Sequence, residues 1–340
     1  MGLNHVLRAA WRRTGGRLRY RSQAAAEHAY FAGCLDVHAL PAIFHYWSNR
    51  YLRPMLETYG FSHPDAFFAR YAGACLAANG GGGRIASLGS GNGDMEVRLA
   101  KALREAGHDD FTIDCLEING EMLVRGDALA RAEGVERHIV GRRVDVNREP
   151  LDGRYDAVLA NQSLHHIVAL ERVFDRVGAA LAPHGRFVVS DMIGRNGHQR
   201  WPEARAIVDE FWAEMPESYR FHMQLRRREP RFIDWDCSIA GFEGIRSQDI
   251  LPLCVERFGF DLFVGFANVV DPFVDRGFGH HFDADSERDR AFIDRVHERD
   301  EREILARRIT PTHMFAVMRT GDGEGACSRG LTPREAIRTP

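Results

Sequence analysis

The chain has 340 residues, of which 44% are hydrophobic and 27% charged, values that are ordinary for a soluble globular protein. Its formal net charge of −3 gives no general attraction to nucleic acid, and no apolar run approaches the ~18 residues that a membrane span needs. Six cysteines are scattered without a CxxC pair. We therefore expect reduced thiols in a cytoplasmic protein, with neither a disulfide framework nor a zinc site. Lys101 is the only lysine, an arginine bias typical of a GC-rich bacterial coding sequence.

The first segment, residues 1–40, is rich in arginine. Residues 1–26 contain six arginines and no acidic residue. Such a start is typical of a mitochondrial presequence, and also of a surface helix that binds anionic lipid. We favour a third interpretation, a segment of a bacterial protein that is either mobile or docks on a partner.

Residues 41–83 form a second segment, which is predicted to be a helical cover with a glycine joint. Aromatic residues are dense between 41 and 78, and residues 80–83 are four glycines. We expect one helix over 43–52, ended by Arg53 and Pro54, and another that begins near Pro64, which suits a first helical turn.

The most informative motif follows at residues 84–94. Residues suited to a buried strand end in three alternating glycines, Gly89, Gly91 and Gly93, and Asp94 follows them. A strand, a glycine turn and a helix start form a nucleotide-sized pocket at the carboxyl end of a parallel sheet. The dinucleotide fingerprint has a different glycine spacing, and a carboxylate at position 94 would repel a pyrophosphate. The pattern therefore favours a cationic, zwitterionic adenosyl ligand over NAD.

Further strands end in polar residues in the same order along the chain. The strand 111–117 ends in Glu117, where a carboxylate can bind both hydroxyls of a ribose. A short strand over 139–144 precedes Asp145, and the strand 155–161 ends in Asn161. A fifth strand covers 186–191.

At this point the chain resembles the class I S-adenosylmethionine (SAM)-dependent methyltransferases, over roughly residues 84–195. The resemblance implies an α/β, Rossmann-like fold whose seven-stranded, mostly parallel sheet has an antiparallel last strand. It implies SAM as cofactor and a role for Asp145 at the adenine amino group. The residues then expected to contact the cofactor are Gly89, Ser90, Gly91, Gly93, Asp94, Glu117, Ile118, Asp145, Val146 and Asn161.

The core is expected to span 84–319, with two additions. Residues 196–259 form a lid or insertion that contains arginines 226, 227, 228 and 231; this region could recognise an acidic or sugar-like group, or be a solvated loop. Residues 271–311 form a long insertion between the last two strands, which suits an ordered lid or interface. Residues 320–340 are predicted to be a disordered tail.

Histidine is well matched to proton removal near neutral pH. His165 and His166 follow the fourth strand, where an acceptor should meet the cofactor, so we name His166 and then His165 as the candidate base. The alternative is that a histidine here only packs near the cofactor. Tyr46 and Asn49 of the cover, and His280 and His281 of the long insertion, are the candidate acceptor contacts. No metal is expected, because the histidines lack a close helical spacing such as HExxH.

The sequence thus predicts a SAM-dependent methyltransferase that acts on a small or medium-sized biosynthetic metabolite, at oxygen. It has no N-P-P-Y motif, so a nucleic-acid substrate is not expected. Three alternatives stay open: another SAM reaction such as cyclisation or transfer of another group, a partner-docking protein that binds SAM without turnover, and, least favoured, an NAD oxidoreductase. The aromatic additions could also pair two copies as a homodimer.

Overall fold

The computed structural model of the protein describes residues 40–239 and 241–338. The Arg-rich segment predicted over residues 1–40 lies outside the described residues, apart from its last position. Among the described residues, no helix combines the length and the apolar character that crossing a membrane requires.

The first half of the chain contains the cover and the start of the sheet. Its elements are α1 (Ala42–Trp47), a π-helix (Ser48–Leu52), α2 (Arg53–Glu57), α3 (Pro64–Ala78), β1 (Gly82–Leu88), α4 (Asp94–Glu105), β2 (Asp110–Glu117), α5 (Gly120–Ala132), β3 (Ile139–Arg143) and β4 (Tyr155–Asn161). Strand and helix alternate from β1 to β3, which is the pattern of a parallel α/β sheet, and β4 then follows β3 without a helix between them.

The second half completes the sheet and carries the additions. Its elements are α6 (Leu170–Ala180), β5 (Leu181–Met192), α7 (Pro202–Glu214), β6 (Phe221–His222), β7 (Arg227–Arg228), α8 (Ser247–Arg257), β8 (Gly259–Phe266), α9 (Asp271–Val274), α10 (Glu287–Leu305), β9 (His313–Arg319) and β10 (Glu324–Cys327). Single 3₁₀ turns lie between several of them, among them Leu164–His166 and Asn196–His198.

The main sheet has eight strands in the order β10-β8-β9-β5-β4-β1-β2-β3. Only β9 runs antiparallel to its neighbours in this sheet, β5 and β8, and the other neighbouring strands are parallel. The order reverses beside β1, where the chain passes from one half of the sheet to the other. In open α/β sheets a ligand binds outside the carboxyl ends of the strands at this switch point.

The core has a layer on each face of the sheet. Alternate residues of β1 divide between the layers: Ile85 packs with α3 and α4, and Ala86 packs with α6 and α8. Because the strands are covered on both faces, they consist mostly of apolar residues. Tyr155 to Ala160 of β4, for example, are all buried.

The sheet has one strand more than the predicted seven, because the C-terminal segment is ordered. The prediction of a disordered tail over 320–340 is wrong for the described residues up to 338. Residues 324–327 form β10 beside β8, and Leu331 and Ala336 are buried in the core. Composition misled here because β10 is held by backbone pairing, with Gly325 allowing its close approach to Asp261.

The first cover helix is also longer than predicted. Arg53 and Pro54 do not end it, since α1, the π-helix and α2 are continuous from Ala42 to Glu57. The backbone N–H of Arg53 donates to the carbonyl of Ser48, a π-type bond just before the proline. A wider helical turn of this kind changes which carbonyls accept hydrogen bonds. The helix therefore tolerates Pro54, which has no backbone N–H to donate.

Candidate functional site

The glycine loop after β1 has the backbone that its sequence predicts. Gly89, Gly91 and Gly93 have φ of +65°, +57° and +75°, in the left-handed region that favours glycine. At Gly89 an added Cβ would also lie 2.9 Å from the Cβ of Ser163. The loop therefore leans directly against the segment that follows β4.

Glu117 lies at the tip of β2 and faces the glycine loop. Its carboxylate accepts hydrogen bonds from the backbone N–H of Gly91 at 3.0 Å and of Asn119 at 2.8 Å. The structure thus brings together the two strongest elements of the predicted cofactor site. Asp94 begins α4 behind the loop, and Ile118 beyond Glu117 is 41% exposed.

Several buried polar atoms around this loop have no partner among the described residues. Within the described residues, Ser90 Oγ, Asn119 Nδ2 and Ser163 Oγ make no hydrogen bond. Buried polar groups are normally paired, so unpaired ones beside a pocket suit a polar ligand. Ser90 follows Gly89 after β1, and Ser163 contacts Gly89 from the segment after β4.

The segment after β3 is a tight turn. Asp145 pairs with Arg148 at 3.3 Å and accepts the backbone N–H of Asn147 at 3.1 Å. Asn147 in turn accepts the N–H groups of Val168 and Ala169, which joins this turn to the start of α6. Val146 packs against the core beside it. The predicted adenine role of Asp145 stays a prediction.

Asn161 ends β4, and the next residue has an unusual backbone. Gln162 has φ of +52° and donates its backbone N–H to the carbonyl of Ser190 on β5 at 2.8 Å. A non-glycine residue in this region is uncommon and often marks a functional site. The turn carries the chain from β4 into the 3₁₀ turn that holds His165 and His166.

His165 is buried against a carboxylate at the end of β5. Its Nδ1 donates to Asp191 Oδ1 at 2.6 Å, and Asp191 also accepts the backbone N–H groups of Ser163, Leu164 and Met192. Asp191 has no solvent exposure and His165 has 4%. Four donors on one buried carboxylate fix the orientation of the His165 ring.

A second carboxylate, Glu243, completes what we call the histidine cluster: His165, His166, His198, Asp191 and Glu243. Its oxygens lie 2.7 Å from His198 Nε2, 3.4 Å from His165 Nε2 and 3.5 Å from His166 Nε2. Glu243 and His198 are functional residues that the sequence does not predict, because both lie in segments of the lid without a local motif.

The charges of the cluster follow from its geometry. Burial alone would lower the pKa of His165, but Asp191 and Glu243 together raise it to about 10. Burial opposes ionisation of Asp191, yet His165 and the backbone donors hold the pKa of this carboxyl below its usual value. Burial lowers the pKa of His198, so that ring is neutral at pH 7. His165 is therefore a fixed imidazolium between two carboxylates.

Two sets of side chains here have donor atoms within 4.8 Å of one another, as metal ligands would: His165, His166 and Glu243, and His198, Cys237 and Glu243. In both sets, the carboxylate of Glu243 already lies within 3.5 Å of the histidine Nε2 atoms. The prediction that the protein needs no metal stays a prediction.

The predicted acceptor contacts lie in the cover and the long insertion. Tyr46 donates its hydroxyl to Asp294 of α10 at 2.9 Å, and Asn49 is exposed. His281 is hydrogen-bonded through Nε2 to the carbonyl of Phe221 at 2.6 Å, and His280 is exposed. These recorded contacts hold the additions together, and none of them is with the histidine cluster.

The strand order, the positive-φ glycine loop, and the acid at the tip of β2 define a class of protein. Residues 86–187 match the family model described as a methyltransferase domain. The chain contains a class I SAM-dependent methyltransferase domain, which confirms the predicted family, the Rossmann-like fold class and SAM as the cofactor of that domain.

Similar proteins include two methyltransferases and a cyclase. The 27-O-demethylrifamycin SV methyltransferase of Amycolatopsis mediterranei (strain S699) is 27% identical over 113 residues, which cover 33% of this chain and 39% of that relative. The O-methyltransferase of a trans-AT PKS multienzyme of Brevibacillus brevis, solved with S-adenosyl-L-homocysteine, is 11% identical. That comparison covers 89% of this chain and 88% of the other, with a TM-score of 0.47. The [4+2]-cyclase SpnF is 15% identical, with 84% and 100% coverage and a TM-score of 0.41.

Proposed function

We propose that this protein transfers a methyl group from SAM to an oxygen of a small or medium-sized biosynthetic metabolite. The observation that carries the proposal is the contact between the glycine loop and the segment of the histidine cluster. Gly89 lies against Ser163, whose backbone N–H donates to Asp191 of the cluster. Cofactor loop and proton-transfer groups therefore meet at one edge of the sheet.

The residues around the loop fit SAM. Glu117 offers a carboxylate at the tip of β2, and Ser90 Oγ and Asn119 Nδ2 are polar atoms without a partner among the described residues. When bound, SAM supplies a methyl group already activated by its sulfonium. The protein's task is then to orient the acceptor in line and to take up the proton of its hydroxyl.

We assign that proton to His166. His165 is already protonated at neutral pH because Asp191 and Glu243 raise its pKa to about 10, so it cannot serve as a base there. His166 is its neighbour, with a side chain 22% exposed rather than 5%. Glu243 lies 3.5 Å from His166 Nε2 and can orient the ring. His165 and Asp191 are then positioning residues, which hold the 3₁₀ turn in place.

A relative supports the class of acceptor. The enzyme from Amycolatopsis mediterranei is named as a methyltransferase of 27-O-demethylrifamycin SV. The match covers about two fifths of that relative, so its activity comes to this chain as part of the proposal.

Calorimetric titration with SAM, S-adenosylhomocysteine and NADH tests the cofactor. We expect binding of both adenosyl-sulfur ligands and none of NADH; stronger binding of NADH than of SAM would overturn the proposal. A metabolite screen then reads the product mass. A gain of one methyl with release of S-adenosylhomocysteine supports methyl transfer, whereas methylthioadenosine or an unchanged mass with a new ring points to another reaction.

The alternative of a partner-docking protein has its own signature. Tight SAM binding with no acceptor-dependent S-adenosylhomocysteine across the screen would favour it. Methylation of RNA or protein alone in cell extracts would instead remove the small-molecule acceptor from the proposal.

A further inference from the structure

A cavity of about 500 Å³ lies between the start of α7 and the loop that follows β7. Arginines dominate its wall: Arg195, Arg200, Arg205 and Arg231. Pro202, Phe232 and Ile233 add apolar surface. We call this space the arginine cavity. Its volume lies in the range of small-molecule pockets, and its lining combines positive charge with apolar contact.

Arg200 gives the clearest sign of a missing ligand. The residue is 6% exposed, lines the cavity, and has an Nε that meets no partner within the described residues. Its other nitrogens donate to the carbonyl of His198 at 2.7 Å and to Asp271 at 3.2 Å. A buried guanidinium N–H without an acceptor is costly, and an acidic ligand would supply one.

Two further arginines of the wall have no carboxylate partner among the described residues. Arg195 lies over the ring of Trp201 at 5.5 Å and donates to the carbonyl of Arg200 at 3.2 Å. Arg231 is exposed and makes no hydrogen bond or ion pair with another described residue. Arg205, by contrast, is held by Asp209 and by the carbonyl of Phe232.

The acidic groups that face the cavity do not neutralise it. Asp234 is the acid among the lining residues, and its Oδ2 accepts the backbone N–H of Arg200 at 2.9 Å. Burial raises the pKa of Asp234 despite the surrounding arginines. Four guanidinium groups and one carboxylate therefore share the wall, with Asp209 and Asp271 pairing from outside it.

The arginine cavity adjoins the histidine cluster through one short segment, residues 198–200. His198 binds Glu243, Gln199 donates to the carbonyl of Asp234 at 2.9 Å, and Arg200 faces the cavity. The cavity wall at Gln199 thus directly follows His198 of the cluster in the chain.

We propose that the arginine cavity binds an acidic group of the acceptor, a carboxylate or a phosphate, whose apolar body contacts Phe232 and Ile233. This substrate class rests on the proposed function, but binding of the acid itself does not require methyl transfer. Planar guanidinium groups suit both anions because they can donate two parallel hydrogen bonds.

The test is calorimetric titration of the full chain with benzoate, phenyl phosphate and the neutral analogue benzamide. We expect at least one acid to bind and benzamide not to bind; the tighter acid identifies the preferred anion. Arg231→Gln and Arg195→Gln should each weaken binding about tenfold, the scale of one lost charge-assisted hydrogen bond.

Arg226→Gln is the matched control, since this exposed arginine lies outside the cavity and its loss changes the net charge equally. Equal binding of benzamide, no binding of either acid, or equal weakening by Arg226→Gln would overturn the proposal. SAM titration of the same variants should give the wild-type affinity. Failure of wild-type protein to bind SAM would count against the proposed function alone, because the acid titrations are read separately.

Discussion

Glu243 is the residue that organises the histidine cluster, although it lies in an irregular stretch of the lid. It accepts from His198 and lies within 3.5 Å of Nε2 of both His165 and His166. Hydrogen bonds from His165 and His198 outweigh its burial and hold the pKa of Glu243 far below its usual range. The carboxylate is thus fully ionised near neutral pH, and its charge sustains the protonated state of His165.

The charge on His165 predicts a pH dependence of stability. Its pKa is about 10 in the folded protein against an ordinary 6.5, so the folded state holds the extra proton. This stabilisation is complete below pH 6.5 and is lost as the pH rises toward 10. In the wild type, the free energy of unfolding should therefore fall between pH 7 and 10. In Glu243→Gln we expect a smaller fall, and the difference should be at least about 1.4 kcal/mol, the equivalent of one pKa unit.

Denaturant unfolding at several pH values measures this difference. His45→Asn, at an exposed position of α1, serves as the control and should follow the wild-type curve. Parallel curves for Glu243→Gln and the wild type would show that Glu243 does not support the charge on His165.

Glu117 is expected to contribute to the affinity for SAM. Glu117→Ala removes the carboxylate that lies beside Gly91, and with it both the proposed ribose contact and a brace of the loop. We expect SAM affinity to fall by about 1–3 kcal/mol, the usual scale for losing a hydrogen bond to a charged group. Calorimetry against Glu121→Ala, an exposed acid at the start of α5, decides the matter. Equal affinities in the two variants would remove Glu117 from the cofactor site.

At the scale of elements, the positive φ of the glycine loop determines whether the loop can bind the cofactor. Gly91→Val forces a branched side chain into φ of +57°, at the residue whose backbone N–H donates to Glu117. Among the described residues, an added Cβ would approach only Met122 Cε, at 3.5 Å, so this part of the fold has room for it. We therefore expect a folded protein that no longer binds SAM.

Gly134→Val is the matched control for that substitution. Gly134 has φ of +67° after α5, and no atom of the described chain lies within 4 Å of an added Cβ. Both variants should lose similar stability in a thermal melt, since each carries the same backbone strain. SAM binding that survives in Gly91→Val as well as in Gly134→Val would place the loop outside the pocket.

The elements differ in how far the sequence predicts them. The glycine loop and Glu117 could be predicted because each is a local pattern, a strand followed by turn residues or ending in an acid. His198 and Glu243 could not, because 45 residues separate them in the chain and neither lies in a local motif. The sequence shows that the lid is rich in arginine, but it does not show which arginines pair with acids and which face a cavity. Arg227 pairs with the buried Glu229, whereas Arg231 faces the arginine cavity.

On the scale of the whole molecule, the C-terminal segment is part of the core. Leu331 is 1% exposed, and Arg329 joins Glu301 of α10 to the carbonyl of Gly265 on β8. We expect Leu331→Ala to lower the free energy of unfolding by about 2–5 kcal/mol, the usual cost of a leucine-sized cavity. Arg334→Ala, at an exposed position three residues on, should change it by less than about 0.5 kcal/mol. Similar denaturant curves for both variants would show that Leu331 does not stabilise the core.

The two outermost strands also govern how the molecule behaves at high concentration. An open sheet has two edges whose unpaired backbone groups can recruit strands from other chains. Here β10 forms one edge, with four residues that include Gly325, and β3 forms the other, ending in Arg142 and Arg143. Short length on one side and positive charge on the other both oppose edge-to-edge aggregation. Removal of β10 would uncover the longer and more apolar β8, and turn an ordered terminus into a site of self-association.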